Sequence, residues 1–410
     1  MPARFQLVAR TGHPSFLDLP WDEPLAAWET PRLVNLIRGI SRHVVRFVDY
    51  DGRLYALKEL PDRPARREYT LLRRLQRDRL PVVEAVGLVT GRENELDAVL
   101  ITQHLEYSLP YRALFAGHAV PDLRTHLLNA FAELVARLHL DGFFWGDCSL
   151  SNALFRRDAG ALSAYLVDAE TGELHPALSD GQREYDLEIA RINVIGELLD
   201  VDAEVGLPDD VDPEETAEDI VERYRALWSE LTRDETFGPD ERYKLSERLH
   251  RLNDLGFDVD EIQVEAAPDG YRLRLDPHVV EPGHHRHRLL RLTGLDAQEN
   301  QARRMLNDIA RFREAVERRE GRKIAESVAA SRWRDEVFEP TVAAVPEELW
   351  GRLPAAEVFH QVLEHRWFRS EKEGKDVGID EAVRSYLESE LPQKPAERVV
   401  IEPPRDEPDA

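Results

Sequence analysis

Cysteine is nearly absent. Cys148 is the single thiol in 410 residues, so no internal disulfide framework can form, and the chain suits a reducing, cytoplasmic compartment. No apolar run approaches the ~18 residues that a membrane span needs, and Met1 to Arg10 has no apolar signal core ahead of Thr11-Gly12. Positive charge is in deficit. Lys and Arg number 54 against 79 Asp and Glu, a formal net charge of −25, which argues against wholesale nucleic-acid binding. Internal repeats and long low-complexity tracts are missing as well. What remains, 42% hydrophobic and 32% charged, is the composition of an ordinary soluble globular protein long enough for two or three domains.

The chain is organised around Phe143 to Phe155. An apolar helical pattern carrying Leu127, Phe131, Leu134 and Leu138, opened by Asp122, runs into it. Gly146 then places Asp147 on a tight loop, Asn152 opens a short apolar strand, and Tyr165-Leu166-Val167 ends a second strand on Asp168. Carboxylate, amide and carboxylate on loops at strand ends are hard oxygen donors that suit Mg²⁺ and phosphates. With a lysine upstream they make up the apparatus of phosphoryl transfer.

That lysine lies on a predicted hairpin. Val44 to Tyr50 is a β-branched strand, Asp51-Gly52 a two-residue turn, and Leu54 to Leu60 the return. Alternation puts Leu54, Ala56 and Lys58 on one face. The small Ala56 leaves room for a flat ring while the Lys58 ammonium reaches a phosphate. A helix over Arg66 to Arg77 brings Glu68 within pairing range of Lys58. Val82 to Val89 and Ala98 to Gln103 add two strands, and Gln103-His104-Leu105-Glu106 connects to a second lobe with backbone groups that can hold a base. Phe5 to Ala9 reads as a short strand, and Leu17 to Trp28 is an aromatic, Pro-interrupted segment without an assigned role.

In order, Ala56-x-Lys58, Glu68, Gly146-Asp147 with Asn152, and Asp168 resemble the protein-kinase-like superfamily, closest to its bacterial lipopolysaccharide-kinase and RIO-like branch. The resemblance covers about Leu33 to Leu199. It also extends to a bacterial family of unknown function in which such a domain precedes an uncharacterised helical domain. It implies an α+β fold with a two-lobed kinase-like domain over 1–205; the helical pattern beyond it predicts a mostly α-helical domain over 206–391, and Pro- and Glu-rich composition predicts a disordered tail over 392–410. The resemblance further implies ATP and Mg²⁺ as cofactors. Lys58 would hold phosphates, Glu68 would pair with it, and Asp147 would be the catalytic base. Asn152 and Asp168 would be the metal ligands, and Asp186 would brace the loop. Ala56, Gln103 and Leu105 would line the nucleotide. The chain departs from the pattern in four respects. No Gly-x-Gly-x-x-Gly exists, so Gly39 with Ser41 is the candidate phosphate loop. Trp145 stands two before Asp147, where many kinases have histidine. Ala169-Glu170 follows Asp168 where Phe-Gly is usual, and no Ala-Pro-Glu segment follows.

The expected function is γ-phosphate transfer to a hydroxyl acceptor on a sugar, small molecule or protein. The alternative is a nucleotide-binding scaffold that recruits a protein partner without catalysis. Singly, each residue also has a plain reading: Lys58 as a solvated charge, Asp147 as a turn, Asn152 and Asp168 as caps.

Acidic and Pro-rich composition around Asp200 to Asp219 predicts a linker. Beyond it, helices are expected over Glu214–Leu231, Asp240–Leu255, Asp296–Glu320, Lys323–Trp333, Ala355–Trp367 and Asp380–Leu391, with one hairpin about Asp269-Gly270. Trp333, Trp350 and Trp367 are taken as core anchors, and Cys148 as a packing residue. His284-His285-Arg286-His287 lacks an accompanying cysteine and its neighbouring side chains diverge, so no metal is expected there. Arg286 to Arg313 is locally basic but interleaved with acids, which reads as a solvated helix rather than an RNA or anion surface.

Overall fold

The alternation of small and bulky apolar residues in the first hundred positions builds one antiparallel sheet. In the computed structural model, which describes residues 5–35, 43–115, 121–232, 235–237, 262–267, 270–275, 284–375, 377–394 and 397, that sheet has the order β1-β5-β6-β4-β3-β2. The strands are β1 Gln6–Ala9, β2 Leu33–Val34, β3 Val44–Tyr50, β4 Arg53–Leu60, β5 Glu84–Thr90 and β6 Ala98–Gln103. Asp51 and Gly52 both adopt positive φ (56° and 78°), the geometry a two-residue hairpin demands and an Asp-Gly pair supplies cheaply. Helix α1, Asp62–Arg77, buries Ala65, Glu68, Leu72 and Leu75 along one stripe. Asp62 in its first turn and Arg74 and Arg77 in its last complement the helix dipole.

The aromatic segment without a sequence-based role covers the other face of this sheet. Phe16, Leu19, Trp21, Leu25 and Trp28 pack with Val48, Tyr55 and Leu57 in one buried core. Buried Arg92 holds the segment down: its Nε donates to the Trp21 carbonyl at 2.9 Å, its Nη1 to Glu59 Oε1 at 2.6 Å, and its Nη2 to the Glu23 carbonyl. Losing one partner of such a pair strands a buried charge, which costs about 3–5 kcal/mol.

Described residues fall into two compact units. The first comprises Met1–Phe155 and Ala164–Trp228, the second Arg156–Ser163 and Ser229–Arg398. Along the chain follow α2 Tyr111–Phe115, α3 Pro121–Leu140, β7 Phe143–Phe144, β8 Ala153–Asp158, β9 Ala161–Leu166, β10 Glu173–Leu174, α4 Asp180–Val205 and α5 Pro213–Thr232, of which the hairpin tip Arg156–Ser163 and the end of α5 past Trp228 count with the second unit. The acidic composition near 200–219 encodes helix ends more than a linker. Asp202 Oδ1 accepts from Leu207 N at the end of α4, and Asp212 Oδ1 accepts from Glu215 N at the start of α5. Helix α5 then buries Ala217, Ile220, Val221 and Tyr224 at helical spacing, and Tyr224 Oη lies 2.8 Å from His139 Nδ1 of α3.

The second unit holds a three-stranded sheet, β11 Glu235–Phe237, β12 Ile262–Ala267 and β13 Gly270–Leu275, in the order β11-β13-β12. Its helices are α6 His284–Thr293, α7 Glu299–Glu320, α8 Glu326–Trp333, α9 Glu339–Ala343, α10 Ala355–Glu373 and α11 Ile379–Ser389. The helix expected over Asp240–Leu255 lies outside the described residues. Trp333 anchors a core of Leu289, Met305, Ile309, Phe338 and Phe359, and its Nε1 donates to Asp308 Oδ2 at 2.7 Å. Trp350 and Trp367, expected as further anchors, are 65% and 58% exposed. Trp367 is eight residues past buried Phe359, which rotates it about 80° off the buried stripe. The expected disordered tail begins instead with a 3-10 turn at Leu391–Gln393, and Glu397 N donates to the Gly351 and Arg352 carbonyls. Burial of Leu391 explains the turn. Among the described residues no helix is long and apolar enough to cross a membrane.

Candidate active site

The pleat of β4 decides where Lys58 points. Tyr55, Leu57 and Glu59 face the aromatic segment, so Leu54, Ala56 and Lys58 face the opposite way. There Lys58 Nζ lies 3.0 Å from Glu68 Oε2 on α1, 2.7 Å from Asp168 Oδ2 after β9, and 3.4 Å from Glu170 Oε2. The backbone fixes two of these carboxylates: Glu170 N donates to Asp168 Oδ1 at 3.0 Å, and Ala169 N to Glu68 Oε1 at 3.4 Å. Glu170 pairs instead with His43 Nε2 at 2.7 Å. Burial opposes the Lys58 charge, yet Glu68 and Asp168 outweigh it and hold the ammonium above its ordinary pKa. Burial, then the Asp168 charge, pushes Glu68 up to about 8. Burial would raise Asp168 too, but Lys58 and the Glu170 amide hold it low.

The loop bearing Asp147 is held from one side of α4. Gly146 takes φ 75°, where a side chain would be strained. The buried Asp186 carboxylate accepts from Trp145 N at 2.7 Å and Gly146 N at 2.8 Å. Two turns on, Asn193 Nδ2 donates to Asp147 Oδ1 at 3.3 Å and to the Cys148 carbonyl at 3.1 Å. One turn further, Glu197 accepts from Leu150 N at 2.9 Å and Ser151 N at 2.8 Å. Spacings of seven and four put Asp186, Asn193 and Glu197 on one helical stripe, so a single rigid edge positions residues 145–151. Asn152 Nδ2 donates to the Asp147 carbonyl at 3.0 Å and to its Oδ2 at 3.4 Å. Val167 N bonds the Asn152 carbonyl at 3.0 Å, and Trp145 Nε1 bonds the Asp168 carbonyl at 3.2 Å, which ties this loop to the strand end carrying Asp168.

Sequence reasoning thus named Lys58, Glu68 and Asp168, which meet, and Asp147 and Asn152, which bond each other. Ala56 pairs across to Phe47 and Thr102, and Gln103 ends β6 opposite Tyr55 and Glu84. Leu105 is half-buried in the connection, beside His104, whose N donates to the Leu54 carbonyl at 2.9 Å. Gly39 and Ser41 lie outside the described residues. Missed were Asn193, Glu197 and Glu170. The first two were legible as polar residues at helical period from Asp186; Glu170 was read only as a departure from a motif. Cys148 is fully buried, and burial with the nearby Asp186, Glu197 and Asp147 pushes its thiol well up, which suits packing. His285 Nδ1 pairs with Glu299 Oε1 at 2.7 Å.

The donor set fits a hard divalent cation. Carboxylate oxygens of Glu68, Asp168 and Glu170 lie within 4.8 Å of one another, Asn152 keeps its amide oxygen for a ligand while its nitrogen serves Asp147, and one ammonium faces three carboxyls.

Residues 51–193 match the profile of the lipopolysaccharide kinase (Kdo/WaaP) family, and residues 226–391 match a domain of unknown function, DUF4032. Among solved structures, WaaP in complex with acyl carrier protein is similar at 18% identity and a TM-score of 0.38, over 61% of this chain and 99% of that one. An aminoglycoside-3'-phosphotransferase of type VIII is similar at 14% identity and a TM-score of 0.34, over 53% of this chain and 92% of that one. No curated protein matches. The segment 51–193 contains Lys58, Glu68, Asp147, Asn152, Asp168, Asp186 and Asn193. The kinase-family match thus falls on the segment that carries the candidate site, and the DUF4032 match on the helices that follow it.

Proposed function

We propose that the first unit is an ATP- and Mg²⁺-dependent phosphotransferase acting on a hydroxyl of a sugar, small molecule or protein. One observation carries this: Lys58, Glu68 and Asp168 converge beside a loop that holds Asp147 between two side-chain amides. Lys58, kept cationic, is the group to engage nucleotide phosphates. Asn152 and Asp168, with Glu170 adjacent, would hold the metal, which when bound neutralises phosphate charge. Asp147 accepts a hydrogen bond from the attacking hydroxyl and orients it. The acceptor oxygen bonds to the γ-phosphorus, the bond from the γ-phosphorus to the β–γ bridging oxygen breaks with its electron pair leaving on ADP, and the hydroxyl proton passes to Asp147. General-base help of this kind is worth ~10²–10⁴-fold.

The competing scaffold function draws on one observation, the Glu170 carboxylate turned onto Lys58 where a phosphate would go. Incubation with γ-labelled ATP, Mg²⁺ and a panel of sugar, small-molecule and protein acceptors separates the two. Phosphotransfer requires label incorporation that Asp147→Ala removes while nucleotide binding persists. Nucleotide binding without turnover on any acceptor, unchanged in Asp147→Ala, leaves the scaffold.

A further inference from the structure

The basic stretch of α6 and α7 takes no part in the chemistry above. Most of its cations have partners. Arg286 Nη2 lies 2.9 Å from Asp296 Oδ1, Arg288 Nη2 lies 2.6 Å from Glu326 Oε1, and Arg304 Nη1 lies 3.1 Å from His360 Nε2. Arg313 differs. Its Nε is buried without a hydrogen-bond partner, and among the described residues it forms no ion pair. Glu317 feels its charge but directs its oxygens to Lys323 Nζ and Ile324 N.

Arg313 lines a cavity of 220 Å³ within the second unit. Positions 285 and 288 of α6 and positions 306, 309 and 313 of α7 each repeat about one turn apart, so two helix faces meet across it. Arg288, Arg313 and His285 supply positive or donor groups, Leu306 and Ile309 an apolar wall, and Asn307 with Glu326 groups that accept from hydroxyls. We propose that this cavity binds a small hydroxyl-bearing phosphomonoester, its phosphate on Arg313 and Arg288 and its carbon body against Leu306 and Ile309.

Each feature narrows the ligand. Guanidinium pairs favour a planar fork onto phosphate oxygens, and a neutral ligand gives Arg313 no charged acceptor. Glu326 opposes a bare anion and favours one that carries hydroxyls to donate to it. The volume falls below the roughly 300–1,000 Å³ of sites for drug-sized ligands, which excludes a nucleoside triphosphate and fits a phosphorylated polyol or sugar. Lys58 is not among the residues that line the cavity, so the cavity's fate and that of the phosphotransfer function are decided independently.

Titration calorimetry of the full chain with glycerol 3-phosphate and glucose 6-phosphate tests this, with glucose and inorganic phosphate alongside. One or both esters should bind with a Kd below about 1 mM. Glucose should not bind, and inorganic phosphate should bind more weakly than the esters. Arg313→Met keeps the aliphatic stem and should weaken ester binding at least about tenfold, and Lys58→Met should leave it unchanged. Because the orphan Nε is removed, Arg313→Met without ligand should keep its Tm within about 3 °C of the parent or raise it. If it melts lower than that, Arg288→Gln replaces it with the same expected loss of binding. No ester binding up to about 10 mM, equal binding by the Arg313 variant, or loss in Lys58→Met would overturn the proposal. Displacement of the ester by tRNA in a salt-dependent manner would overturn it in favour of a polyanion surface.

Discussion

Glu170 shows how one side chain can set the resting charge of a site. Lys58 faces Glu68, Asp168 and Glu170 at once. Backbone amides hold the first two, so an incoming phosphate displaces the third most easily. Glu170→Gln should therefore bind ADP in the presence of EDTA about fivefold more tightly than the parent, the worth of one partly exposed ion pair near 1 kcal/mol. Calorimetry in EDTA reads it directly, and weaker binding by the variant would make Glu170 a contributor to nucleotide affinity instead. Lys58, Glu68 and Asp168 were legible in sequence because their residue types and order are dictated by the chemistry. Glu170 was not, since only the turn after Asp168 brings its carboxylate back to the lysine.

At the scale of elements, α4 is the clearest case of local periodicity with a functional outcome. Its stripe of Asp186, Asn193 and Glu197 holds the 145–151 loop by six hydrogen bonds to four backbone amides, one carbonyl and one carboxylate oxygen. Asn193→Ala should lower kcat about 10–100-fold with nucleotide affinity unchanged, because it loosens the orientation of Asp147 and leaves the Lys58 cluster intact. Steady-state kinetics beside calorimetry checks the split. In the second unit, Asp158 is fully buried and receives bonds from Gln301 N at 2.9 Å and Asn300 N at 3.2 Å. Burial first, and then Glu357, push it from 3.8 to about 6. An acid whose folded pKa is raised binds its proton more tightly folded than unfolded, so its contribution to stability is greatest below pH 4 and declines as pH rises to about 6. The stability of the parent minus that of Asp158→Asn should fall by up to about 3 kcal/mol across that window and stay flat above it. Urea melts at several pH values measure the difference, and a difference independent of pH would exclude Asp158 as the titrating group.

For the whole molecule, ligand linkage gives the broadest test. If the Lys58 cluster takes Mg²⁺ and nucleotide, a non-hydrolysable ATP analogue at about 100 times its Kd should stabilise the protein by about 2.7 kcal/mol. EDTA should remove most of that gain. A thermal scan reads both, and the same shift in Asp168→Asn would place the nucleotide elsewhere.

Sequence alone determined five of the six strands of the first sheet, all but the short β2, together with the Asp51-Gly52 hairpin, the helix carrying Glu68 and the kinase-like order of Lys58, Asp147, Asn152 and Asp168. These follow from period-two and period-3.6 patterning and from turn chemistry, which act over a few residues. Tertiary structure alone decided that residues Phe16 to Trp28 roof the sheet through Arg92, that Trp333 is buried while Trp350 and Trp367 face solvent, and that Glu170 closes on Lys58. Each of those depends on which surfaces meet across tens of residues, and pairwise burial of that kind leaves no periodic trace in the chain.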